Sequence, residues 1–206
     1  MRISAGLAVL IQISGINTIV DCAPAIFLSA GWKVDAALAF TFVMGISNLL
    51  FALVSFWTID RSGRKPLYIA GSLGMAACFL ALVVAVLAGH FHGVFVLAIV
   101  LAYLAFFNAC VGPVFWTLVP EIFPNDVRGM AMTVSLFNQW VANAVVVLFF
   151  PYAFHIFGKS LTLGFFALMC LGQGIFTRLY VPETSGKRLE EIEAYWLTSK
   201  STSHLR

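Results

Sequence analysis

Charge is what this chain has least of. Asp, Glu, Lys and Arg together make up 10% of its 206 residues, against 61% hydrophobic. So few charged groups cannot coat a water-soluble globule of this size, whereas surface that faces hydrocarbon needs none. Alternation is missing too. Runs such as ACFLALVVAVLA (77–88) and ANAVVVLFF (142–150) carry no two-residue period, which excludes a transmembrane barrel. There is no G-x-x-x-x-G-K-[ST] loop, and no Ser/His/Asp or His/Glu/His set stands at catalytic spacing. The reading is therefore of a protein that is not an enzyme and uses no cofactor. Cys22, Cys78, Cys110 and Cys170 sit singly inside apolar runs without metal-ligand spacing and read as free packing residues. His90, His92, His155 and His204 fall in loops, at a run's end or in the tail, and read as solvated groups. A nucleic-acid partner would need a solvated basic face, so the net charge of +3 reports attraction to anionic lipid headgroups instead.

What is present is apolar length. A helix needs about 20 apolar residues to cross a hydrocarbon core of roughly 30 Å. Six such runs follow one another: 4–30, 36–57, 67–88, 94–119, 130–154 and 161–181. The expected fold is an all-α membrane protein with six transmembrane helices in residues 1–182. A cytoplasmic tail at 183–206 carries a short amphipathic helix with Leu189, Ile192 and Trp196 on one side. Lys and Arg accumulate on the cytoplasmic side of membrane proteins. Arg2, Arg61, Arg64, Lys65, Arg128, Arg178, Lys187, Arg188, Lys200 and Arg206 share one side of a six-span topology, and only Lys33 and Lys159 fall on the other. Both termini are expected in the cytoplasm of a multi-pass protein of the plasma (inner) membrane.

Polar side chains inside these runs are the functional shortlist, because an unpaired amide in hydrocarbon costs several kcal/mol and persists where it faces another helix or a wet cavity. They are Gln12, Asn17 and Asp21 in span one, Asn48 in span two, Asn108 and Trp116 in span four, and Asn138, Gln139, Trp140 and Asn143 in span five. Neutral amides beside indoles suit a neutral polyhydroxylated ligand: each amide donates and accepts, while the aromatic face packs on C–H patches. Structural glue between helices is the competing reading. Gln139 and Asn143 share a helix face, as do Asn17 and Asp21. Gln12 and Asn17, five apart, lie about 140° around a straight helix. One small site uses both only if span one breaks locally, and Ser14 and Gly15 lie between them. Gly112, Pro113 and Pro120 around Trp116 predict a kinked or unwound span four.

Ordered motifs then carry a family resemblance over nearly the whole chain: QISGIN (12–17), DRSGRKPL (60–67), GPVFWTLVPEIFP (112–124) followed by VRG, NQWVAN (138–143) and PETSGKRLEEIE (182–193). The chain resembles the C-terminal half, helices seven to twelve, of the sugar porter family of the major facilitator superfamily. It looks most like bacterial xylose-type sugar:proton symporters. That resemblance implies sugar contacts at Gln12, Asn17, Asn48, Trp116 and Gln139, with Trp140 beside them. It implies gate charges on the cytoplasmic face at Asp60, Arg61, Arg64, Glu121 and Arg128. The family's Gln pair is replaced by Ile11-Gln12, and its Tyr pair by Asp21-Cys22, so one donor and the aromatic lid over the outer mouth are altered. Asp21, the one carboxylate well inside an apolar run, reads as a partly wet aspartate near the outer cavity mouth, with a proton site as the alternative. The implied partners are a sugar, the lipid bilayer, and a complementary six-helix half or a second copy. The alternatives are a self-assembling sugar facilitator or pore, and a sugar-binding or regulatory membrane protein without transport.

Overall fold

The computed structural model describes residues 2–29, 31, 33–91, 93–121, 123 and 125–181. Within them every regular element is helical, and six helical stretches are long and apolar enough to cross a membrane: Ser4–Asp21, Leu38–Ile59, Arg64–Leu87, Gly93–Pro120, Arg128–Ile156 and Gly158–Tyr180. The expected spans recur with their ends displaced by a few residues, except that the first, expected to reach residue 30, stops at Asp21. The proposed tail helix at 188–197 lies outside the described residues.

Span one is the most divided. It consists of α1 (Arg2–Ile13), α2 (Ile16–Asp21) and α3 (Ala23–Ser29). Gly15 takes the left-handed conformation, with φ 89° and ψ 13°, which a side chain would oppose by about 1–2 kcal/mol. The break falls between Gln12 and Asn17, where a shared site requires it. Span two is α4 (Val34–Ser62) and span three is α5 (Arg64–Leu87), joined through Gly63 alone at φ 77° and ψ 155°.

Span four runs from α6 (Gly93–Phe106) through a π segment, Phe107–Val111, into α7 (Gly112–Glu121). Proline explains the wide turn. Pro113 has no N–H for the carbonyl four residues back, and its ring crowds that carbonyl. The chain opens instead, and the Gly112 N–H donates to the Phe107 carbonyl five residues back. Asn108 donates its side-chain amide to the Leu104 carbonyl at 2.9 Å. Spans five and six are α8 (Asn125–Ile156) and α9 (Gly158–Tyr180), linked at Phe157.

Spans three and six form the most extensive helix pair, α1 packs on α8 and α9, and α4 lies against α3, α6 and the π segment. An aromatic chain marks the core: Phe79 meets Tyr103 edge-on at 5.0 Å and stacks on Phe166 at 5.5 Å, and Phe166 reaches Phe150 at 6.0 Å. Spans two and five are the least covered, with only 12% and 11% of their apolar windows buried. Their outward residues are large and apolar, among them Phe42, Leu49, Leu53 and Trp57 on α4 and Phe137, Val141, Leu148 and Phe149 on α8. Such faces require lipid or further protein around them.

Span four meets span three through glycine. A Cβ at Gly71 would stand 2.5 Å from the Cβ of Cys110 and 3.2 Å from the Phe106 carbonyl oxygen, so backbone as well as side chain would have to shift. Gly71→Ala is expected to destabilise the fold by about 1–3 kcal/mol. Gly45→Ala, with nothing within 4 Å among the described residues, should match the parent protein or exceed it. Thermal unfolding of the two variants in one detergent checks this contrast.

Candidate functional site: an amide triad at a broken helix

The break at Gly15 brings three amides together. Asn17 donates from Nδ2 to Oε1 of Gln12 at 2.9 Å and to Oδ1 of Asn143 at 2.8 Å. One side chain thus bridges the two sides of the break in span one and ties them to span five. Gln12 is 5% exposed, and Asn17 and Asn143 are half-buried. Asn143 stood in the sequence shortlist without an assigned role, and the structure makes it the cross-helix acceptor.

Backbone groups on both sides of the break are hydrogen-bonded. Ser14 N–H donates to the Leu10 carbonyl, Gly15 N–H to Gln12 and Ile19 N–H to Gly15. The Ser14 carbonyl takes side-chain donors: the Tyr103 hydroxyl at 3.1 Å and the Cys170 thiol at 3.6 Å. Ser14 turns its own hydroxyl onto the Ile11 carbonyl at 2.6 Å. Gly15 lies so close to Phe166 that an added Cβ would be 2.9 Å from the ring.

The other expected contacts occupy distinct positions. Asn48 and Gln139 are half-buried, and Oδ1 of Asn48 and Oε1 of Gln139 are hidden from solvent with no hydrogen-bond partner among the described residues. Buried acceptors without donors are rare in native proteins and require an explanation such as an unseen partner. Trp116 is 50% exposed, edge-on to Phe115 at 5.5 Å, and Trp140 is 65% exposed. No hydrogen bond among the described residues joins Asn48 or Gln139 to the triad. Two shortlisted amides turn back on their own helices: Asn108, as above, and Asn138, which donates to the Val134 carbonyl at 2.9 Å.

Asp21 lies at the edge of the broken span. It ends α2 with its side chain exposed, so this chain's own helices do not enclose the acid. A single residue, Cys22, separates α2 from α3 at this point. Of the expected gate charges, Arg64 heads α5 half-buried, and Arg128 is half-buried in α8 with Nε hidden and unbonded among the described residues. The side chains of Asp60, Arg61 and Glu121 lie outside the described ones.

Sequence reasoning missed a second buried polar contact. Gln173 in span six donates from Nε2 to the hydroxyl of Tyr68 in span three at 2.7 Å, both fully enclosed. Gln173 meets the criterion that selected the other amides, a polar group at membrane depth, so its signal was present. Two grooves are apolar by contrast. One of about 470 Å³ lies between spans five and six, lined by Ile13, Phe149, Phe150, Phe157, Phe165 and neighbours, with Thr162 as its polar group. The other, of about 480 Å³, has His155 and Lys159 on its rim. Neither presents the amides, and the first has too few hydrogen-bonding groups for a polyhydroxylated ligand.

Residues 1–196 match the family described as Sugar (and other) transporter. The chain belongs to this sugar transporter family. Among curated relatives, the glucose facilitated diffusion protein of Zymomonas mobilis is 37% identical over 199 residues, covering 92% of this chain and 41% of that protein. The D-xylose-proton symporter of Escherichia coli K12 is 37% identical over 196 residues, covering 92% of this chain and 40% of that protein. Among solved structures, the major facilitator superfamily proton:xylose symporter XylE bound to 6-bromo-6-deoxy-D-glucose superposes with a TM-score of 0.85 at 37% identity, over 95% of this chain and 42% of that one. The chain therefore spans about two-fifths of the relatives it matches. Family membership and six apolar helices make it an integral, multi-pass membrane protein with the helical fold of the superfamily.

Proposed function

We propose that the chain forms one six-helix wall, the C-terminal one, of a transporter for a sugar or related polyol, working against a complementary six-helix half. The observation that carries this reading is the Asn17 amide bridging Gln12 and Asn143 across the broken span. Interrupted helices that line a cavity are how transporters offer polar groups at membrane depth. The unsatisfied acceptors of Asn48 and Gln139 are suited to sugar hydroxyls, which donate as readily as they accept. The relatives' names, a glucose facilitator and a xylose-proton symporter, support a monosaccharide as the cargo. The sparse cover over spans two and five gives the partner half a place to seat. The Lys and Arg bias supports cytoplasmic termini and a plasma-membrane location. Proton coupling is read from the symporter relative, and the exposure of Asp21 leaves any enclosure of that acid to the partner half.

Liposome uptake tests the reading. The chain is reconstituted alone and together with the complementary half of the Escherichia coli D-xylose-proton symporter, and labelled D-xylose and D-glucose are followed with and without a pH gradient. Saturable uptake is expected from the assembled pair and none from the monomer. Saturable uptake by a demonstrated dimer of this chain would replace the half-transporter with the self-assembling facilitator. Binding without flux in a verified pair would favour the sugar-binding role.

A further inference from the structure

We propose that Tyr103 is a positioning residue that sets the amide triad by holding the carbonyl at the break in span one. The inference rests on the reading of Gln12, Asn17 and Asn143 as the sugar-facing amides. A helix that breaks must find other donors for the carbonyl it leaves behind, because water is scarce at membrane depth. At Ser14 the donors come from two different spans. The Tyr103 hydroxyl from span four approaches to 3.1 Å, and the Cys170 thiol from span six to 3.6 Å. The hydroxyl is the stronger donor of the two. It is also fixed: Tyr103 is 1% exposed and its ring is wedged edge-on against Phe79 at 5.0 Å.

Ser14 stands between Gln12 and Asn17, so the pinned peptide determines how far α2 rotates against α1. That rotation decides whether Asn17 reaches Oε1 of Gln12 and Oδ1 of Asn143 together. Tyr103 lies well away from the three amides in sequence, and nothing in the triad's own hydrogen bonds includes it. Its role is to hold the break in one geometry, so that the amides stand ready before a ligand arrives.

The test reads the break and the ligand separately. Labelling with 13C-carbonyl serine and 15N-glycine selects Ser–Gly peptides, which occur at Ser14–Gly15, Ser62–Gly63 and Ser185–Gly186. Side-chain 15N labels on asparagine report Asn17. In lipid bilayers, solid-state NMR of Tyr103→Phe is expected to displace the Ser14 carbonyl and Asn17 amide signals and leave the other two Ser–Gly signals in place, which also certifies the fold. Cys170→Ala should displace the Ser14 signal less. In the assembled pair, D-xylose affinity of Tyr103→Phe should fall about tenfold, the scale of one buried hydrogen bond. An unmoved Asn17 amide, or parental affinity beside an Asn17→Ala variant that has lost it, would overturn the proposal. If Asn17→Ala itself keeps its affinity while Tyr103→Phe still moves the Asn17 signal, the sugar reading fails and the positioning of the triad stands.

Discussion

Replacing Asn17 with alanine is expected to lower the sugar affinity of the assembled transporter by about two orders of magnitude, close to 2.7 kcal/mol. Asn17 provides both donors of the triad, so its loss strips Oε1 of Gln12 and Oδ1 of Asn143 of their partners at once. Each buried acceptor left unsatisfied costs about 1–3 kcal/mol, and either amide can relax that penalty only by turning away from its present place. Asn17→Asp sharpens the argument. It keeps the size of the side chain but sets a carboxylate oxygen against two carbonyl oxygens, so its loss should at least equal that of alanine. Equilibrium binding of labelled D-xylose, with thermal unfolding of the same samples as a fold control, checks both variants. An alanine variant within twofold of the parent would assign the triad to helix packing alone.

Gly15→Ala should give the largest stability effect in span one. Two independent costs meet there. The left-handed backbone at φ 89° opposes any side chain by about 1–2 kcal/mol. The new Cβ would also stand 2.9 Å from Phe166, which is 4% exposed and stacked on Phe79, and such overpacking costs about 1–3 kcal/mol. Together they amount to roughly 2–5 kcal/mol. Gly31, also at φ 89° but with nothing within 4 Å among the described residues, isolates the backbone contribution. Thermal unfolding in detergent should therefore rank Gly15→Ala below Gly31→Ala, and both below the parent protein. Equal effects at the two glycines would show that Phe166 yields freely.

Most of the fold was legible because lipid is a demanding solvent. Apolar length alone located six spans, and the 140° between Gln12 and Asn17 required the break that Gly15 makes. Pro113 likewise announced a disturbed span four, although only the structure shows that the disturbance is a π turn ending at Gly112. The site was legible in kind more than in arrangement. Depth picks out polar residues but not their partners, so Asn108 and Asn138 entered the polar shortlist beside the others, and each bonds its own helix. Tyr103 escaped notice because a tyrosine in an apolar run reads as core, and its hydroxyl acquires meaning only once span four lies against the break. For Asp21, sequence shows only apolar neighbours, and the structure adds that its side chain is exposed on this chain.

The connection at Gly63 has a mechanical side. Helices of 29 and 24 residues meet at a single residue, like the legs of a pair of dividers. At 1.5 Å per residue the legs measure about 43 and 36 Å. A change of about 10° at the pivot would carry the far end of the shorter leg by roughly 6 Å, while the ends that meet at Gly63 stay within one peptide of each other. A small torsional adjustment at this one glycine would thereby be geared into a displacement of several ångströms at the far ends of the two helices.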